Sequence, residues 1–175
     1  MNRILIILIV FVGSSLAQEE GKLVPDAKLK DFEGKKFVVS EFYKEGPLLI
    51  NFWNLACEPC KKEMKHLDIF NKKYEGNKFK VLSVNLDNSR SISKVKSYIK
   101  SQKFSFKVLS DPRMKFFKKS GGRIMPYVLL VDEKGIVIKK HTSYNPGDEV
   151  QLEKEIREIL AISDSTTVVT PQSNK

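Results

Sequence analysis

Two hydrophobic periods alternate along this chain. Leu48-Leu49-Ile50-Asn51-Phe52-Trp53 is short, apolar and preceded by the turn signal Glu45-Gly46-Pro47, which predicts a buried strand. Met64, Leu67, Phe70 and Tyr74 then recur at three- and four-residue spacing, on one face of a helix starting near Glu58. Glu75-Gly76-Asn77 is expected to end that helix, with Gly76 in the left-handed cap. Phe79 to Leu86, with Val81 and Val84, reads as a strand. Ser91 to Lys100 reads as a helix carrying Ile92, Val95, Tyr98 and Ile99, and Phe106 to Leu109 as a short strand. Asp111-Pro112 is expected to open a brief helix with proline in its first turn, broken by Gly121-Gly122. Tyr127 to Val131 and Ile136 to Lys140 flank the turn Asp132-Glu133-Lys134-Gly135 and predict a hairpin. After the loop Asn145-Pro146-Gly147, Asp148 is placed to cap a last helix with the apolar face Leu152, Ile156, Ile159 and Leu160.

The start of the chain is less patterned. Gln18 to about Leu29 is polar and reads as an extended lead-in. Lys36 to Val39 is a candidate strand after the turn Glu33-Gly34-Lys35. Strands alternating with helices argue an α/β sheet, to which the terminal hairpin adds an antiparallel edge. The 175 residues suit one domain, placed at 18–163. The Ser/Thr-rich residues 164–175 read as a flexible tail.

Residues 1–17 have a different character. A positive start at Arg3 precedes the apolar run Ile4 to Val12, and Ser15 and Ala17 put small residues at −3 and −1 of a cut before Gln18. That is the layout of a cleaved signal peptide. The run is far shorter than the roughly 20 apolar residues a membrane span needs.

Composition narrows the partner classes. The chain is 41% hydrophobic and 30% charged, enough for a core and a soluble surface. Its net charge of +10 is mostly lysine. Lys61, Lys62, Lys65, Lys72 and Lys73 fall on the outer face of the helix after residue 57, which reads as a solvated surface. No aromatic–basic recognition motif appears, so nucleic acid is not expected as a partner.

The chain has two cysteines, Cys57 and Cys60. A disulfide across two residues closes almost no loop, so the pair is a poor staple. In an exported protein a C-x-x-C pair reads better as redox-active. Cys57 lies between a strand and a helix. The unpaired N–H groups and partial positive charge of a helix start favour its thiolate, and the thiolate is the nucleophile of disulfide exchange. Cys60, one turn further in and more covered, suits the resolving role. Pro59 fits the first helical turn.

Other chemistries fit less well. A structural zinc site needs four ligands, and besides carboxylates only His66 and His141 are available. A peroxide-reducing site needs one cysteine with a Thr or Ser upstream to hold the peroxide, and none is placed for it. Copper carriage by two thiolates and His141 has weak spacing support. No metal or cofactor is expected, and both histidines read as surface or core residues.

Glu63 is three residues beyond Cys60, on the same side of the helix. It can be buried, with a raised pKa and a proton to exchange with a cysteine, or exposed and paired with Lys62 or Lys65. The pattern leaves both open. Glu58 puts negative charge beside Cys57.

The segment Asn51-Phe52-Trp53-Asn54-Leu55-Ala56-Cys57-Glu58-Pro59-Cys60-Lys61-Lys62-Glu63 resembles the active site of the thioredoxin-like family, in particular its TlpA-like and ResA-like branch of extracytoplasmic thiol–disulfide oxidoreductases. The likeness runs from about Leu23 to Leu160. It includes Val84-Asn85-Leu86-Asp87, and Met125-Pro126 followed by Tyr127 to Gly135. It implies a thioredoxin-like α/β fold: a central mixed sheet flanked by helices, with an N-terminal strand extension. It further implies Cys57, Cys60 and Glu63 as catalytic residues. Trp53, Pro59, Met125 and Pro126 become the substrate-binding residues, with Pro126 cis and packed beside the dithiol. The implied partners are disulfide-bearing proteins, such as apocytochrome c, and a membrane thiol donor that recharges the protein. The implied setting is a monomer in the periplasm. One position departs from the pattern: Ala56 stands where the family usually has an aromatic, most often Trp. A general disulfide oxidant or isomerase is the alternative within enzymes. A redox-inactive or metal-carrying module is the alternative outside them.

Overall fold

The computed structural model describes residues 20–162. The signal-peptide expectation for residues 1–17 and the tail expectation for 164–175 lie outside the described residues. Seven strands and five helices follow in order: β1 (Lys28–Lys30), β2 (Lys36–Val38), α1 (Ser40–Tyr43), β3 (Leu48–Trp53), α2 (Glu58–Lys73), β4 (Lys80–Asn85), α3 (Ile92–Gln102), β5 (Lys107–Ser110), α4 (Lys115–Lys119), β6 (Tyr127–Val131), β7 (Val137–Thr142) and α5 (Asp148–Ile159).

The strands form one mixed sheet in the order β2-β1-β5-β4-β3-β6-β7. β3 runs parallel to β4, and β4 to β5, while the remaining neighbours are antiparallel. Parallel neighbours need a crossover; α2 supplies it between β3 and β4, and α3 between β4 and β5. The expected α/β sheet with an antiparallel hairpin edge is what forms.

β3 lies at the middle and is buried along its whole length. Its side chains alternate between two cores, as a strand period of two requires. Leu48, Ile50 and Phe52 pack with Val39, Tyr43, Phe116 and Phe117, on the face that carries α1 and α4. Leu49 and Trp53 pack with Met64, Leu67 and Phe70 of α2, Val95 of α3, and Leu152 and Ile156 of α5. Burying each of these large side chains contributes roughly 1.5–3 kcal/mol, so the two-sided burial of β3 fixes where its C-terminal end, and hence residue 57, must sit.

Several local details differ from the sequence expectations. The turn after α2 is closed by Lys78 in the left-handed region (φ 60°), not by Gly76. The Asp111-Pro112 helix begins later, at Lys115, because the Asp111 carboxylate caps it from four residues upstream, accepting from the N–H groups of Lys115 and Phe117 at 3.0 Å each. Gly147, at φ 109°, occupies the N-cap of α5, and Asp148 is its first helical residue. α1 has too few residues to leave a periodic signal. The lead-in contains β1, which pairs with β2 and at one position with β5.

Candidate active site

The end of β3 and the start of α2 deliver the two cysteines. Cys57 is the N-cap of α2, with extended backbone (φ −85°, ψ 92°), and its Sγ accepts a hydrogen bond from the Cys60 N–H at 3.3 Å. Cys57 and Cys60 are joined in a disulfide with their Cα atoms 5.3 Å apart. Cys57 is half-buried, whereas Cys60 has no exposed surface and packs in the core beneath α2. The N–H on Sγ and the helix start both favour a Cys57 thiolate once the bond opens. The apolar cover over Cys60 favours the thiol form there. Pro59 lies in the first turn of α2 and is exposed, as is Ala56.

Lys61 reaches the Glu58 carboxylate at 2.7 Å. That pair holds Glu58 below the usual carboxylate range. It also engages the Lys61 charge and offsets the negative charge that Glu58 puts beside Cys57.

Glu63 is buried, at 3% exposure, which removes the surface-pairing alternative. Its Oε2 has no hydrogen-bond partner among the described residues. Burial, with the Asp148 charge as a second cause, pushes its carboxyl up to about 8. At neutral pH it therefore holds a proton in the disulfide state.

Trp53 does not take the place expected of a substrate contact. It has no exposed surface, and its ring packs 5.4 Å from that of Tyr98. A side chain with nothing exposed cannot touch a docked protein, so Trp53 supports the dithiol from below. The Met125–Pro126 bond is cis. Phe52 pairs with Tyr127, which puts Pro126 opposite Trp53, at the same end of the sheet as the dithiol. Met125 and Cys57 pack against the same core cluster. Pro126 itself is buried, and its carbonyl accepts from the Ser143 N–H at 2.9 Å.

One residue at this end entered the sequence reading only within the resemblance of Val84-Asn85-Leu86-Asp87, with no function assigned. Asp87 Oδ2 accepts from the Leu55 N–H at 2.8 Å and from the Asn85 side-chain amide at 2.9 Å. It thereby ties the chain entering the dithiol to the end of β4. An acid just past the C-terminal end of a central strand was the available signal, because that end of an α/β sheet is where sites form. His66 and His141 lie 4.0 Å from Glu149 and 2.6 Å from Glu155 respectively. A groove of about 850 Å³ runs along β1 and the 110–119 segment, and neither cysteine lines it. Disulfide exchange with a protein needs an accessible cysteine rather than a pocket, and of the two Cys57 is the one that retains exposed surface.

Comparison with known proteins agrees with this geometry. The Redoxin family model matches residues 19–156. The thiol-disulfide oxidoreductase ResA of Bacillus thuringiensis subsp. konkukian (strain 97-27) is 30% identical, the match covering 89% of this chain and 92% of the relative. The sporulation thiol-disulfide oxidoreductase A of Bacillus subtilis (strain 168) is 30% identical, covering 82% and 86%. The crystal structure of StoA from Bacillus subtilis superposes with a TM-score of 0.62 at 26% identity, covering 75% of this chain and 96% of that one. A match over most of the chain, to relatives of this activity and around a helix-capping Cys57–Cys60 pair, makes the chain a member of the Redoxin family and a thiol–disulfide oxidoreductase.

Proposed function

We propose that the protein is an exported dithiol reductase of other proteins' disulfides, with Cys57 as nucleophile, Cys60 as resolving thiol and Glu63 as the proton partner of Cys60. The observation that carries this reading is the asymmetry of the pair: a half-exposed, helix-capping Cys57 over a fully buried Cys60, with an unpartnered buried carboxyl three residues further along α2.

The reaction follows from those environments. The Cys57 thiolate attacks one sulfur of a client disulfide, and the other client sulfur leaves as a thiolate that takes a proton from water. The Cys60 thiol gives its proton to the Glu63 carboxylate and attacks Cys57 Sγ. The second client sulfur leaves, two electrons have passed to the client, and the protein holds the Cys57–Cys60 disulfide. Recharging runs the steps backward. A donor dithiol attacks Cys57, and Glu63 returns the proton to the departing Cys60 sulfur. The exposed Ala56 and Pro59, with the partly exposed Met125 across the sheet end, form the surface on which a client segment lies, and the buried cis Pro126 sets the course of the Met125 backbone. Ala56 leaves room beside Cys57 that a larger residue would fill.

The reductant direction is supported by the apolar burial of Cys60 and by Lys61 being held on Glu58, since neither adds stability to a thiolate. The oxidant or isomerase reading has two observations in its favour, the Cys60 N–H on Cys57 Sγ and the place of Cys57 at the start of α2, both of which favour a Cys57 thiolate. The sequence pattern of residues 1–17 supports export. Retention of a soluble exported helper requires an enclosing outer membrane, so the periplasm is the compartment we assign. Apocytochrome c as client and a membrane thiol donor are assigned by resemblance to the ResA-like branch.

The test is capture. A Cys60→Ala variant lacks the resolving thiol and should accumulate as a mixed disulfide with its client in the exported fraction, where mass spectrometry identifies the partner. Finding no thiol-linked partner, or only the donor, contradicts the client assignment.

A further inference from the structure

Glu63 has a second environment besides the dithiol. A cavity of about 200 Å³ is lined by Glu63, by His141 and Tyr144 from β7 and the loop after it, and by Asp148 and Glu149 from the start of α5. Ser143 and Asp148, also in its wall, are exposed, so the cavity opens to solvent. Ser143 follows β7, and the sheet order places β6 with Pro126 between β7 and β3.

The start of α5 would by itself stabilise a Glu63 carboxylate. A twelve-residue helix presents unpaired N–H groups and a partial positive charge at that end. Its first two residues oppose this, because both are acids. The Asp148 carboxylate is fixed by the Asn145 N–H at 2.7 Å, and the Glu149 carboxylate by the Tyr144 hydroxyl at 2.8 Å and the Gly147 N–H at 2.9 Å. The other titratable groups around the cavity are already engaged. His66 of α2 faces Glu149 at 4.0 Å, His141 is held by Glu155 at 2.6 Å, and the Tyr144 hydroxyl is pushed up to about 12 by burial and its bond to Glu149. Asp148 has no cation partner among the described residues.

We propose that Asp148 is a positioning residue for disulfide exchange: across the shared cavity its carboxylate adds to burial in holding the proton on Glu63. The inference rests on the reading of Glu63 as the proton partner of Cys60. Burial is the larger cause of the raised Glu63 pKa, and the Asp148 charge acts in the same direction. The consequence is that the pH range in which Glu63 can return a proton to Cys60 is set from α5, not only from the dithiol.

The direct test is the Glu63 titration, read by carbon NMR of protein with carboxyl-labelled glutamate. The Glu63 resonance is the one missing in Glu63→Gln. Asp148→Asn keeps an oxygen for the Asn145 N–H and removes the charge. It should lower the Glu63 midpoint by roughly half a pH unit or more, the scale of one solvent-screened neighbouring charge. Asp148→Glu should restore it. The pH profile of dithiol reoxidation should move to lower pH with Asp148→Asn alone, and should not respond to that change in a Glu63→Gln background. An unchanged Glu63 midpoint in Asp148→Asn, or an equal shift of the profile in both backgrounds, overturns the proposal. If Glu63→Gln leaves exchange untouched, the proton-partner reading falls, and the NMR comparison still decides for or against Asp148.

Discussion

The Asp87 carboxylate holds the Leu55 N–H at 2.8 Å, so the loop that carries Cys57 is fastened to the end of β4 as well as to β3. The same oxygen also holds the Asn85 amide, and the Leu86 N–H donates to the Trp53 carbonyl at 2.8 Å. Two central parallel strands thus present the dithiol as one rigid unit.

Removing that carboxylate should loosen the site. Asp87→Ala leaves the partly buried Leu55 N–H and the Asn85 amide without their acceptor, a cost of about 1–3 kcal/mol. Urea unfolding should show this loss. Disulfide exchange should slow beyond what the unfolded fraction explains, because Cys57 is no longer held in line. A variant as stable and as fast as the parent would remove the positioning role of Asp87.

Cys57 and Cys60 should separate cleanly by accessibility. A thiol reagent should modify Cys57 of the reduced protein readily and leave Cys60, which has no exposed surface, nearly untouched. Cys60→Ala should trap mixed disulfides and Cys57→Ala should not. A reversed pattern would exchange the two roles.

Glu63 ties stability to pH with a definite sign. Its carboxyl rises from 4.5 to about 8 on folding. The stability it contributes is therefore complete below about pH 4.5 and is lost as pH rises through 8. Glu63→Gln removes the titration. The variant should match the parent near pH 4.5 and exceed it at pH 7 by about 3 kcal/mol, the gap widening toward pH 8. Denaturant unfolding across this range measures it, and a gap that stays constant with pH would contradict a buried, raised carboxyl. The same variant should slow the Cys60 step by about 100-fold or more.

Gly122 lies directly against Phe117. A Cβ there would lie 2.2 Å from the Phe117 ring, which packs against Phe52 and Tyr127. Gly122→Ala should cost about 1–3 kcal/mol as the aromatic cluster shifts. A calorimetric melting point equal to the parent's would show that Phe117 can yield.

These features were unequally legible in the sequence. β3, α2 and β6 were readable because each is long enough to display its period, and burial agrees with the pattern. The paired cysteines were readable because strand, C-x-x-C and helix lie contiguous in the chain. α1 and β1 were not, since three or four residues carry no period. The cap of α5 was shifted by one residue because Gly147 can take the positive φ that ends the preceding loop. Asp87 and Asp148 are each separated from the dithiol by tens of residues: the pairing of β3 with β4 brings Asp87 to the Leu55 N–H, and the packing of α5 against α2 brings Asp148 to the cavity of Glu63. The burial of Glu63 depends on what covers α2, which spacing alone does not fix. Trp53 was read as a contact, but its alternation on β3 turns it into the core.

The reduction potential of the Cys57–Cys60 couple tests the central claim most directly. Oxidising power in this fold comes from a stabilised thiolate in the reduced state. Here Cys60 is in an apolar core, Lys61 is engaged by Glu58, and in the proposed mechanism the buried Glu63 keeps Cys60 protonated. Equilibration against a thiol buffer at neutral pH should give a potential near that of thioredoxin, roughly −270 mV, and far from that of DsbA, roughly −120 mV. A value above about −180 mV, the range of protein disulfide isomerase, would contradict the reductase account and put the oxidant or isomerase reading in its place.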